Sequence, residues 1–293
     1  RGAKRSRFIV GKVLEPVVVR YNEILRSEGK VDFADLIVGA TALCNANGGG
    51  NYDCIIVDEF QDISMDRYNF LLALRRGNPQ VQLYCVGDDW QSIYRFSGSD
   101  MNLFCHFDQY FGKTDLNKIE TTYRFGNPLV EKSAAFIQRN PAQIRKNIHP
   151  FSSDAKTEIV FREYSRGDAV GALERIVAEI PLGKSVFLLG RYTYDDYLLA
   201  KNFRQRRSGN SLFYTICGRE VEFLTMHRSK GLEADYVVLL NCNNGSFGFP
   251  STIADDPVLG FVMSDSDGYL FGEERRLFYV AMTRAKVRTI VMY

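Results

Sequence analysis

Residues 55 to 62 read Ile55-Ile56-Val57-Asp58-Glu59-Phe60-Gln61-Asp62, an apolar run that stops on two adjacent carboxylates. A short β-branched run bounded by polar residues is the signature of a buried strand. Its end predicts that Asp58 and Glu59 stand at the C-terminal tip of a parallel sheet, where ligands of open α/β sheets bind. One carboxylate at such a tip can hold Mg²⁺ while the other orients and deprotonates a water. Taken alone, the segment fits equally well an acidic strand end facing solvent.

Outward from that segment, apolar runs alternate with amphipathic stretches of helix length, the pattern of parallel α/β layers. Strands are expected at Cys54 to Asp58, Gln82 to Gly87, Leu116 to Glu120, Glu158 to Glu163, Ser185 to Gly190, Val221 to Met226, Tyr236 to Asn241 and Val287 to Met292. Helices are expected at Val13 to Arg26, Met65 to Arg76, Met101 to Phe111, Pro128 to Arg139, Asp168 to Ile180, Tyr194 to Gln205 and Glu273 to Lys286. Asn45 to Asn51, with three consecutive glycines, and Asn243 to Asp267 read as breaker loops. A Gly-Lys-Thr-Asp turn near Phe111 to Leu116 separates two strand and helix series, which suggests a boundary there.

Composition bounds the answer without deciding it. The chain has 293 residues, 45% hydrophobic and 25% charged, enough for a sizeable core and for two domains. No apolar run approaches the roughly 18 residues of a membrane span, and no secretion signal is visible, so a cytoplasmic protein is expected. Six scattered cysteines without a CxxC pair fit buried thiols in a reducing compartment. Net charge is only +2, so bulk electrostatics do not single out nucleic acid. Basic clusters do occur at Arg1 to Arg7, Arg204 to Arg207 and Arg275-Arg276, a pattern more often met on a solvated face.

A second strand tip follows. Tyr84 to Gly87 runs into Asp88-Asp89-Trp90-Gln91-Ser92-Ile93-Tyr94-Arg95-Phe96-Ser97-Gly98, delivering an acid, an amide and several aromatics. Asp58-Glu59-Phe60-Gln61-Asp62 and the Val86 to Tyr94 stretch resemble motifs II and III of the UvrD/Rep helicases of superfamily 1. Val31-Asp32-Phe33-Ala34-Asp35-Leu36 is similar to the segment before motif II. Thr121-Thr122-Tyr123-Arg124 resembles motif IV, Thr225 to Glu233 motif V, and Glu273 to Ala285 motif VI. Five motifs in family order span residues 31 to 293.

The resemblance implies two RecA-like parallel-sheet domains. Residues 1–115 would be the later part of the first, which is incomplete, and 116–293 the second. It also implies ATP with Mg²⁺ as cofactors. Asp58 would contact the magnesium nucleotide, Glu59 would activate the attacking water and Gln91 would sense the γ-phosphate. Arg124 and Arg284 resemble the arginines that stabilise charge on the transferring phosphoryl group. Tyr123 would stack on adenine, Glu233 would accept from the ribose, and Gly231 would let backbone approach phosphate. For single-stranded DNA, or duplex with a 3′ single-stranded tail, Tyr94 and Phe96 resemble base platforms and Arg191, Thr225 and His227 resemble backbone or base contacts. Phe96 stands where tryptophan is usual and Ser97 where arginine is usual, which puts DNA contact through this loop in doubt.

Two absences qualify the resemblance. No GxxxxGK[ST] phosphate loop occurs. Gly112-Lys113-Thr114 and Gly183-Lys184-Ser185 lack the first glycine and lead into strands, so both read as turns. The expectation is therefore a piece of a longer protein, inactive by itself. Only 33 residues separate Arg191 from Thr225, too few for the large inserted domain of UvrD and Rep, which points to helicase IV-like members. Two readings stay open: an ATP-driven 3′ to 5′ motor, and a catalytically silent single-strand binding module that keeps the fold.

Overall fold

The computed structural model describes residues 8–245, 247–253, 255, 256, 259, 263 and 268–293. The basic run Arg1 to Arg7 and much of the Asn243 to Asp267 loop lie outside the described residues. The chain divides into two compact units, Arg1–Thr114 with Ala254–Asp265, and Asp115–Ile253 with Ser266–Tyr293.

In the first unit a π-helical turn, Ile9–Leu14, leads into α1 (Glu15–Ser27) and then α2 (Phe33–Asn47). The start of α2 is set by a reciprocal cap. The Asp35 N–H donates to Asp32 Oδ1 at 2.8 Å, and the Asp32 N–H donates to Asp35 Oδ2 at 3.3 Å, satisfying two helix-start donors. β1 (Cys54–Val57) and β2 (Gln82–Cys85) pair in parallel, with Val57 opposite Cys85, and α3 (Met65–Gly77) crosses between them. The predicted helix over Met101 to Phe111 is broken at His106 into α4 (Met101–Cys105) and α5 (Phe107–Phe111). The break lets both pieces turn aromatic rings onto Phe60, whose ring meets Phe104 at 6.3 Å, Phe107 at 5.4 Å and Phe111 at 5.9 Å. Phe60, Ile63, Leu71 and Leu103 are the buried centre of this unit.

The second unit is built on β3 (Thr121–Thr122), β4 (Asn127–Pro128), α6 (Leu129–Ile137), β5 (His149–Pro150), β6 (Lys156–Arg162), α7 (Ala169–Glu179), β7 (Val186–Gly190) and α8 (Tyr197–Asn202). These are followed by β8 (Arg204–Ser208), β9 (Ser211–Ile216), β10 (Arg219–Thr225), β11 (Ala234–Leu239), α9 (Gly272–Met282) and β12 (Ala285–Met292). Its main sheet has the order β4-β6-β12-β11-β7-β10-β9-β8, and β3 pairs only with β5. β6, β12, β11, β7 and β10 run parallel, while β9 and β8 close the edge as an antiparallel hairpin. β7 and β11 are apolar along nearly their whole length because helices cover the sheet. Leu188, Leu189, Val237 and Val238 are fully buried, and α7 packs Leu173, Ile176 and Val177 onto this layer.

The α/β class read from the sequence is the class observed, with three corrections beyond the broken helix. Leu116 to Glu120 is not a strand: Leu116 and Ile119 are about three-quarters exposed, and pairing begins only at Thr121. Apolar alternation there finds no neighbouring strand to pair with. The helix expected over Tyr194 to Gln205 shrinks to α8, because Arg204 and Gln205 belong to β8. The helix expected to reach Lys286 stops at Met282, and β12 begins three residues later. Among the described residues no helix is long and apolar enough to cross a membrane.

Candidate functional site

In the first unit the parallel register of β1 and β2 sets two strand tips side by side. The Val86 N–H donates to Val57 O at 2.9 Å and the Phe60 N–H to Val86 O at 2.8 Å, so ladder bonding continues past the strand ends. Between these bonds the backbone turns at Glu59, held at φ 50°, a left-handed conformation uncommon for a residue with a side chain. The turn leaves the Glu59 carboxylate exposed while Phe60 enters the core. The Asp58 side chain closes on the turn by accepting from the Glu59 N–H at 2.8 Å.

Gln61 joins the two tips. Its side chain is fully buried, donating through Nε2 to Glu59 Oε2 at 2.7 Å and accepting from the Asp88 N–H at 2.8 Å. Its carbonyl accepts from the Ser92 hydroxyl at 3.3 Å. Gly87 makes room for this, since a Cβ there would lie 2.5 Å from Gln61 Oε1 and 2.9 Å from the Phe104 ring. Asp88 then caps a short 3-10 turn by accepting from the Trp90 N–H, and its other oxygen accepts from Gln91 Nε2 at 2.7 Å. Glu59, Gln61, Asp88 and Gln91 thus form one hydrogen-bonded chain. Sequence reasoning singled out Glu59 and Gln91 and passed over Gln61. The signal was a polar residue between Phe60 and Asp62, both tied to the core or backbone.

Tyr94 and Phe96 follow on the same loop with rings 6.0 Å apart, edge to face. Phe96 is mostly exposed. The Tyr94 hydroxyl is raised above the usual range by burial, and further by the Asp62 and Glu59 carboxylates.

In the second unit the predicted residues fall into two groups. The first lies where β3 ends. Tyr123 is exposed and stacks on Phe151 at 4.6 Å, which leaves one face of its ring covered. Arg124 Nε donates to Glu233 Oε2 at 3.4 Å, and Lys286 pairs with the other oxygen of Glu233. The Lys286 and Arg124 contacts hold Glu233 below the usual carboxylate range, that of Lys286 being the larger. Gly231 sits at φ 81°, a backbone that disfavours any side chain. Arg284 is buried, with Nε donating to Val280 O at 2.8 Å and Nη2 to Thr283 Oγ1 at 3.2 Å.

The second group stands at the paired tips of β7 and β10, where Gly190 is opposite Thr225. Arg191 makes a two-pronged ion pair with Glu274, Nε to Oε1 at 2.9 Å and Nη2 to Oε1 at 2.7 Å. Burial opposes its charge, but the Glu274 carboxylate outweighs burial and raises the guanidinium. His227 is pushed down to about 4 by burial and then by the Arg191 charge, so its imidazole is neutral near pH 7.

Among the described residues no cluster of three or more His, Cys, Asp or Glu could cage a metal ion. Magnesium in phosphoryl-transfer sites is carried by one or two carboxylates plus the nucleotide's own phosphates, so the tip acids Asp58 and Glu59 suit an ion that arrives with its nucleotide.

Strand-tip acids hydrogen-bonded to a side-chain amide in one α/β unit, and an arginine-bearing α/β unit after it, are the kind of groups a nucleotide-driven motor uses. The family comparison gives the particular kind. The "UvrD/REP helicase N-terminal domain" profile matches residues 10–112 and the "UvrD-like helicase C-terminal domain" profile matches residues 205–293. The chain belongs to the UvrD/Rep helicase family. It is 33% identical over 284 residues to DNA helicase IV of Escherichia coli K12, covering 96% of this chain and 40% of that protein. To the ATP-dependent DNA helicase Rep of Buchnera aphidicola it is 27% identical over 215 residues, covering 67% of this chain and 32% of the relative. A solved structure titled "The structure of PRRSV helicase" aligns over 81% of this chain and 34% of its own, at 17% identity and TM-score 0.39. The chain therefore spans less than half the length of these curated relatives.

Proposed function

We propose that this chain is the catalytic and DNA-tracking part of an ATP-driven motor that moves 3′ to 5′ along single-stranded DNA. The observation that carries the reading is the bonded chain Glu59–Gln61–Asp88–Gln91 at the paired strand tips. A binding module has no use for a carboxylate wired through a buried amide to a second amide. A motor does, because water activation at Glu59 must be registered at the γ-phosphate by Gln91.

In this reading Asp58 would hold the Mg²⁺ that accompanies ATP, and that ion would offset charge on the phosphates. Glu59 accepts the proton of the attacking water. Tyr123 offers its open face to the adenine, Glu233 receives the ribose hydroxyl, and Gly231 lets the backbone come close. Arg124 and Arg284 stabilise the charge that develops on the transferring group. Tyr94, Phe96, Arg191, Thr225 and His227 contact DNA. Arg191 does so with the guanidinium nitrogen that Glu274 leaves over, which fits an orienting role better than a flexible phosphate grip. With DNA as substrate the expected compartment is the cytoplasm.

A silent DNA-binding module has one observation in its favour, the lack of GxxxxGK[ST] in the 293 residues. Glu59→Gln in the full-length protein separates the two readings. Nucleotide affinity should persist while DNA-stimulated hydrolysis falls at least about a hundredfold, the usual scale for removing a general base. Unchanged turnover would remove Glu59 from its role. Displacement of streptavidin from the 5′ end of a strand, but not from the 3′ end, checks the polarity.

A further inference from the structure

The hairpin β8–β9 carries a basic cluster, Arg204 to Arg207, that the function above does not use. Strand alternation divides it. Arg206 is spent on one face: Nη2 donates to Glu220 Oε2 at 2.8 Å, and its guanidinium lies 4.6 Å from the centre of the Phe213 ring. Arg207 points to the other face, where it makes no ion pair with any described residue. There it lines a polar groove of about 570 Å³ with Arg228, Thr225, Tyr194 and Asp196.

Arg228 is held in the groove by Nη2 donating to Asn210 O at 2.8 Å, and its N–H donates to Thr225 Oγ1 at 3.3 Å. The groove's one carboxylate, Asp196, already accepts the Tyr214 hydroxyl at 2.8 Å. Two guanidinium groups against one engaged carboxylate leave a net positive groove suited to an anion. Tyr194 adds a half-exposed ring, stacked on Tyr192 at 4.8 Å and 11°, at the mouth. Thr225 belongs at once to this groove and to the β10 tip assigned above to DNA.

We propose that this groove is a phosphodiester subsite, in which Arg207 and Arg228 hold the backbone of single-stranded DNA and Tyr194 supports a neighbouring base. The subsite extends the DNA track from the β10 tip onto the hairpin, and it rests on the DNA reading of the previous subsection. Basic groups that follow the backbone beside aromatic rings that accept bases are the working parts of sequence-tolerant single-strand binding.

The test is equilibrium binding of a fluorescent oligothymidylate to the full-length protein across a salt series. Arg207→Gln and Arg228→Gln should each weaken binding roughly tenfold, the scale of one lost charged hydrogen bond. Each should also make the slope of log affinity against log salt shallower by about 0.7, the value for one single-strand phosphate contact. Tyr194→Ala should weaken binding about fivefold or more with no change in slope. Arg204→Gln, which removes the same charge outside the groove, should keep the wild-type slope.

A wild-type slope in Arg207→Gln overturns the subsite and leaves the DNA reading standing. An equal loss in Arg204→Gln overturns it in favour of diffuse charge. Arg207-dependent binding of inorganic phosphate with an unaltered oligonucleotide slope overturns it in favour of a free anion. No binding of the oligonucleotide by the wild-type protein removes both proposals together.

Discussion

Gln61 shows how one buried amide can govern an exposed strand-tip carboxylate, here the one proposed to activate water. Its side chain reaches across 27 positions of sequence to the Asp88 backbone while also holding Glu59, so it fixes where the Glu59 oxygens stand relative to the second tip. Gln61→Ala takes away the acceptor of a backbone N–H and the donor that orients Glu59. In the full-length protein, DNA-stimulated hydrolysis should drop at least about tenfold, the effect of roughly 1.4 kcal/mol of misplacement at the reacting group. Nucleotide affinity, measured by a fluorescent analogue, should stay within about threefold. A parallel loss of affinity would instead make Gln61 a determinant of the nucleotide pocket. His227 is the second residue with a consequence of its own. Its imidazole is held near 4, below the ordinary value of about 6.5. The unfolded chain therefore takes up the proton first as pH falls. Above pH 6.5 the group contributes nothing. Between 6.5 and 4 the native state loses stability progressively, by on the order of 3 kcal/mol in all. Urea unfolding at pH 7 and pH 5 should show a loss of roughly 2 kcal/mol in the wild type that is absent in His227→Asn.

At the scale of elements, the acid-bearing turn of the first unit is only as stable as its attachment to the aromatic layer below. Phe60 is 1% exposed and meets Phe104 of α4 at 6.3 Å and Phe107 and Phe111 of α5 edge-on, so one side chain pins the turn, α4 and α5 together. Phe60→Ala should cost about 3–5 kcal/mol in chemical denaturation, the usual range for such a cavity. The amides of β1 and β2 should lose hydrogen-exchange protection ahead of those of β7 and β11. The same turn explains what was legible in the residues. An apolar run ending in Asp58-Glu59 is a local signal, and the strand appeared where it was read, but half-exposed rather than buried, with Ile56 71% exposed. β2, β6, β7, β10, β11 and β12 also appeared where they were read, and of these β7 and β11 carry apolar runs buried by helices on the sheet. The hairpin was not legible, because β8 is Arg-Gln-Arg-Arg-Ser, exposed at every position, and its pairing is dictated by β9. Leu116 and Ile119 misled in the opposite direction, having a strand's pattern with no partner. Gln61, the Arg191–Glu274 pair and the Glu233 contacts with Arg124 and Lys286 were hidden for one shared reason. Each joins residues that only the sheet order and register bring together.

For the molecule as a whole, what the 293 residues contain decides what they can do unaided. They hold two tip acids, an amide relay and the arginines of motifs IV and VI, all of which the proposed function sets to work on a triphosphate already in place. They hold no GxxxxGK[ST] loop, whose amides and lysine provide most of the grip on the phosphates. On the proposed reading, Tyr123, Glu233 and Gly231 hold base, ribose and backbone while the acids and arginines act on the transition state, and none of these groups replaces a phosphate cradle. The 293-residue chain, assayed with Mg²⁺, ATP and oligothymidylate, should turn over at least about a hundredfold below the roughly 1–10³ s⁻¹ of ordinary enzymes. The shortfall should persist at saturating DNA, because the proposed DNA contacts at Thr225 and the hairpin do not replace a phosphate cradle. Turnover in the ordinary range would show that the relay and arginines suffice, and would move the source of phosphate affinity onto Gly231 and its neighbours.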